Sequence, residues 1–138
     1  MKYFRLSLET LILIGLDLVS KYFFYNLKYL KHTPFILPTL NTGISRSLPV
    51  PFMIIIIMSI WGIWLFMRLF TKNKLWWIST TLLIAGTLGN FIDRIIYGGV
   101  RDFINIGLFN FPIFNFADIM LSIWVGLRIL KVILEKKK

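Results

Sequence analysis

The sequence contains no cysteine, which excludes a disulfide framework, a thiol nucleophile and a thiolate metal site. It has one histidine, His32, and no HExxH helix, a pattern that argues against a zinc hydrolase. His32 reads as a loop residue near lipid headgroups. No internal repeat is present, so an inverted-repeat transporter is not indicated. Acid is scarce as well: six Asp and Glu stand against sixteen Lys and Arg.

What the chain does have is apolar length. Its 138 residues are 57% hydrophobic and 17% aromatic, with a mean hydropathy of +0.76, too apolar for a soluble domain of this size. Residues 51–67 and 75–92 carry no charge, and the apolar stretches 6–26 and 113–134 hold only isolated charges. At roughly 1.5 Å per residue each can cross a hydrocarbon core of about 30 Å. The expectation is an all-α polytopic membrane protein, one domain over residues 1–138. Its four transmembrane helices would lie at about 6–26, 51–70, 75–96 and 113–134.

The net charge of +10 could suggest nucleic acid, but the basic residues flank the apolar stretches instead of forming a stripe with interleaved aromatics. Ten of them (Lys2, Arg5, Arg68, Lys72, Lys74, Arg128, Lys131 and Lys136 to Lys138) fall on one side of the expected membrane. Five (Lys28, Lys31, Arg46, Arg94 and Arg101) fall on the other. By the positive-inside rule both termini are cytoplasmic. The N-terminal stretch resembles a signal sequence, yet its apolar region is long and lacks a small-x-small exit, so it reads as a retained anchor.

Asp17 and Lys21 share one face of the first span, acid N-terminal to base. Two readings stay open: a self-neutralising ion pair, or a lysine that also meets a substrate headgroup or a carboxylate. Residues 27–50 form the longest external connection, where prolines restrict strands to short edge pieces. A small extracytoplasmic β-sheet is expected there, its edge open to an extended peptide. Asn41-x-Gly43 within it is, taken alone, an ordinary turn. In the third span Gly86, Asn90 and Arg94 recur every four residues on one face, where glycine permits close packing and Asn and Arg supply donors.

After the turn Tyr97-Gly98-Gly99 come Val100-Arg101-Asp102-Phe103 and a short amphipathic external segment to Asn110. Pro112 suits the first turn of span four, which would put Asp118 about six residues, or ~9 Å, inside the membrane. Asn115 lies near it on the same face. Asp102 and Asp118 thus converge on one side of the bilayer, and carboxyl groups set against hydrocarbon are functional candidates by default. Two such groups within hydrogen-bond distance share one proton and can divide the work of an aspartic protease, with no metal or cofactor required. The competing reading is a small proton- or ion-conducting protein that uses Asp17, Lys21 and Asp118 as a relay.

Five pieces in order, Asp17-x-x-x-Lys21, Asn41-x-Gly43, Gly89-Asn90-x-x-Asp93-Arg94, Val100-x-Asp102-Phe103 and Phe114-Asn115-x-Ala117-Asp118, make the chain resemble the bacterial lipoprotein signal peptidase family, also called signal peptidase II. The resemblance covers nearly the full length. It implies that Asp102 and Asp118 are catalytic, and that Asp17, Lys21, Asn41, Gly43, Asn90, Arg94 and Asn115 support the pair or orient substrate. Gly86 joins them through the face it shares with Asn90 and Arg94. It further implies a lipid-modified prolipoprotein substrate cut just before a diacylglyceryl-cysteine, contact with membrane lipid, and a bacterial cytoplasmic (inner) membrane location with the active site near the extracytoplasmic face. A monomer is expected. The chain departs from the family after Gly43, where Ile44-Ser45-Arg46-Ser47 replaces the usual small residues and aromatic.

Overall fold

The computed structural model describes residues 2–43, 53–54, 56–62, 64, 77–108 and 111–136. Three long helices are α1 (Lys2–Lys21), α2 (Trp77–Tyr97) and α3 (Phe116–Lys136). The described residues between 53 and 64 are helical too. Most of the span expected over 51–70 lies outside the described residues, as do Arg46 and the turn Thr71-Lys72-Asn73-Lys74.

Small side chains decide how the helices meet. A β-carbon on Gly86 would lie 2.7 Å from the backbone oxygen of Ala117, and one on Gly89 would lie 2.5 Å from Asp17 Oδ2. With Ala85 and Ala117 fully buried, α2 therefore packs directly on the backbone of α3 and on the Asp17 side chain of α1. Ile14, Ala85, Ala117 and Met120 form the buried apolar centre. Around it the outer surface is strongly apolar, with Leu11, Met53, Trp61 and Ile96 among the exposed side chains. Patches of this kind mark contact with a partner or with lipid.

Among the described residues no helix is long and apolar enough to cross a membrane. This differs from the four transmembrane helices expected. The helices are 20 or 21 residues long, but polar groups interrupt them: Arg5, Glu9 and Asp17 in α1, Asn90, Asp93 and Arg94 in α2, and Asp118, Arg128 and Lys131 in α3.

A five-residue π-helical turn, Tyr22–Asn26, continues α1. Strand β1 (Ile36–Asn41) then pairs antiparallel with β2 (Val100–Ile104), with Thr39 opposite Asp102 and Asn41 opposite Val100. The register shifts between Ile36 and Thr39, where Pro38 has no N–H to give. The sheet thus differs from expectation in its partner: Val100-Arg101-Asp102-Phe103 is itself a strand. The segment expected to be amphipathic runs irregularly to Leu108 with Ile106 and Leu108 exposed, and Asn110 lies outside the described residues. Gly98, at φ +69°, makes the left-handed turn from α2 into β2.

The start of span four also differs. Pro112 is not helical; Phe114 bridges to Ile104, exchanging N–H···O bonds of 3.1 and 2.8 Å, and α3 begins only at Phe116. Asp118 consequently sits in the first turn of its helix and not six residues down. That bridge fastens the chain entering α3 to β2.

Candidate active site

Asn115 caps α3. Its side-chain oxygen accepts the Asp118 N–H at 3.0 Å, while Asp118 Oδ2 accepts the Asn115 N–H at 3.1 Å. The exchange is a capping box, each residue satisfying a backbone donor that the helix start leaves free. Asp118 Oδ1 remains available and accepts from Asn90 Nδ2 at 2.8 Å.

Asp102 is held from two sides. Asn41 Nδ2 donates to Oδ2 at 3.1 Å, a diagonal contact across the sheet, and Asn115 Nδ2 donates to Oδ1 at 2.7 Å. Asn41 is fixed in turn because its oxygen accepts the Gly43 N–H at 3.1 Å. Burial, followed by the nearby Asp118, pushes the Asp102 carboxyl up to about 7, against the hydrogen bonds from Asn41 and Asn115 that pull it down.

Asn115 and Asn90 link the two carboxyl groups. Asn115 Nδ2 also donates to Asn90 Oδ1 at 3.1 Å, and Lys21 Nζ donates to the same oxygen at 3.1 Å. With two donors on its oxygen, Asn90 must turn its NH2 towards Asp118. Lys21 therefore does more than neutralise Asp17, to which it is bonded at 2.7 Å. Asp17 in turn accepts the Ala117 N–H at 2.9 Å.

Asp102 and Asp118 open into a cleft of about 630 Å³ that Asn41, Asn90 and Arg94 also line. Arg94 donates to the backbone oxygen of Asn90 at 3.3 Å. Nine of the ten sequence-derived residues thus form one connected site. Gly86 stands apart, packing α2 on α3 against Ala117 and Leu121. Missed were Asp93 and Arg101, a fully buried acid and a nearly buried base 2.7 Å apart. The signal was present in Asp93, an acid one residue before Arg94 in an apolar helix. Among the described residues no three His, Asp or Glu come together so as to hold a metal ion. The buried charges Asp17, Lys21, Asp93 and Arg101 close on one another, an arrangement that gives no support to an ion-conducting relay.

Known proteins resemble the chain in sequence and in fold. A family model described as signal peptidase (SPase) II matches residues 9–134. A lipoprotein signal peptidase of Thermodesulfovibrio yellowstonii is 34% identical over 95% of this chain and 96% of its own length. One from Lactococcus lactis subsp. lactis is 40% identical over 61% of the chain, which there spans about half of the relative, 53%. Two solved structures described as bacterial membrane enzymes, obtained by the in meso method, share the fold. The first has a TM-score of 0.83 at 28% identity, covering 96% of this chain and 89% of its own. The second has 0.74 at 30%, covering 93% and 92%.

Proposed function

The chain belongs to the signal peptidase II family, and from that premise we propose that it removes the signal peptide from diacylglyceryl-modified prolipoproteins, with Asp102 and Asp118 as its catalytic pair. One observation carries the assignment of the pair. Two carboxyl groups from different elements, β2 and α3, are aimed into one cleft by a shared chain of amide donors.

The division of labour follows from the surroundings. Asp102, whose carboxyl burial pushes up to about 7, is the acid. Asp118, in the first turn of α3, is the base. Asp118 takes a proton from the attacking water as oxygen bonds to the scissile carbonyl carbon, and Asp102 gives its proton to the carbonyl oxygen. When the tetrahedral intermediate collapses, the proton on Asp118 passes to the leaving amine and Asp102 regains its own from the hydroxyl. Arg94 and Asn41 at the cleft wall are placed to orient the substrate backbone.

The rest of the reading concerns placement. The chain acts as a monomer of one domain in the bacterial cytoplasmic membrane, in contact with membrane lipid, crossing four times. Asp17, Lys21 and Asp93 inside the helices are tolerable because they pair with one another. Support for the second crossing comes from direction. Both α1 and α2 end at the site, and their starts lie together, with Arg5 3.9 Å over the Trp77 ring. The chain between them must therefore return to the far end, which is the place for a span over 51–70.

Purified protein incubated with a lipidated precursor should release the signal peptide. Asp102→Asn and Asp118→Asn should each abolish release while leaving a folded protein, since Asn keeps the acceptor oxygen but cannot exchange the proton. Full activity in either variant would remove the aspartyl mechanism.

A further inference from the structure

Each aspartate of the pair follows a residue whose backbone N–H is held by a buried carboxylate. The Arg101 N–H donates to Asp93 Oδ2 at 2.9 Å, and the Ala117 N–H donates to Asp17 Oδ1 at 2.9 Å. Lys21 joins those carboxylates, 2.7 Å from Asp17 and 3.4 Å from Asp93. Arg101 supplies the second cation, placing Nη2 2.7 Å from Asp93 Oδ1. Two acids and two bases thus sum to zero formal charge. Asp17, Lys21 and Asp93 are 0% exposed and Arg101 is 4% exposed.

Stability is a weak reason to keep such a group, because well-packed apolar residues often serve as well as a buried ion pair. What Arg101 adds is a fixed position for a short strand. Its guanidinium reaches three places: Asp93 of α2 through Nε and Nη2, Asn26 of the π-helical turn through Nη1 at 2.6 Å, and the Tyr97 ring at 4.1 Å. Strand β2 has five residues and pairs across a register shift. Asp118 is anchored by its cap and by Asn90, and on the β2 side the capping Asn115 reaches Asp102 through one amide hydrogen bond. The separation of the two aspartates therefore depends on what holds β2 to the helices.

We propose that Arg101 is a positioning residue of the peptidase reaction, clamping β2 against α2 and the π-helical turn and so setting where Asp102 stands relative to Asp118. The inference rests on the assignment of that pair. A planar fork with a third donor can make all these contacts together, whereas lysine offers a point charge.

The test is steady-state cleavage of a lipidated precursor by the full chain, with Arg101→Met, Arg101→Lys and Asp102→Asn measured beside thermal stability and folded yield. Per folded enzyme, kcat should fall by about a hundredfold in R101M and by about tenfold in R101K, the scale of an ångström-level misplacement. KM should hold, because Arg101 does not line the cleft. The alkaline limb of the kcat–pH profile should move to lower pH as Asp102 becomes less buried and stands farther from Asp118. Wild-type kcat and profile in R101M would overturn the proposal, as would an activity loss that only tracks folded yield. If R101M does not accumulate, R101K decides, and a wild-type kcat and limb there would overturn it equally. Cleavage by D102N would instead overturn the assignment of the pair.

Discussion

Asp118 uses one oxygen to start a helix and receives Asn90 on the other at the cleft wall, so a structural and a proposed chemical task meet in one side chain. Asp102 carries no such double duty, and its position costs stability. Its carboxyl stands at about 7 in the folded protein against an ordinary 3.8. Between those values the folded state keeps a proton that the unfolded chain has lost, so stability from this group falls as pH rises through the window and levels off above it. Asparagine at 102 cannot ionise and escapes that penalty. Asp102→Asn should therefore match the parent near pH 4, the lower end of the window, and melt at a higher temperature at about pH 8. Thermal scans in detergent at both pH values check this. A parent that melts with the variant at the higher pH would mean that Asp102 pays nothing for its burial.

The helices were legible in the sequence wherever apolar residues and polar faces kept a regular spacing, as with Asp17 and Lys21 or Asn90 and Arg94. Strand β2 was not, because the partner that makes it a strand lies some sixty residues upstream in β1. Pro112 pointed to a helix start, yet Asn115 followed three residues later by Asp118 was the stronger signature, a capping box whose acid is Asp in place of Glu or Gln. The Asp93–Arg101 pair left no spacing signal because a turn separates the two residues. The contact of α2 with the α3 backbone, by contrast, turns on one legible glycine. A methyl on Gly86 would meet the Ala117 backbone oxygen at 2.7 Å and Leu121 Cγ at 2.8 Å, and a backbone atom cannot rotate away. Gly86→Ala should force α2 from α3, costing about 1–3 kcal/mol and displacing Asp118, one residue beyond Ala117. Gly126→Ala, with open space around it, is the control. Equal melting temperature and cleavage for G86A and the parent would refute the close-contact account.

At the scale of the whole molecule, the charged and polar groups sort by end. The C-terminal ends of α1 and α2, the start of α3 and the sheet all gather at the site. Lys2 and Arg5 at the start of α1, and Arg128, Lys131 and Lys136 towards the end of α3, lie on the opposite end. Over the sequence the split is ten basic residues to five. Basic residues beside apolar segments resist translocation, so the proposed topology keeps the richer end cytoplasmic and turns the aspartate pair outward, to the face where an exported precursor would meet the membrane. Reporter fusions after residues 30 and 105 should therefore read as external, and fusions after 73 and 138 as cytoplasmic. The fusion after 73 is the most informative, because only a crossing between residues 42 and 76 can return the chain to the cytoplasmic side before α2 begins. An external signal there would cancel that crossing, and inversion of all four would put Asp102 and Asp118 on the wrong face for such a substrate.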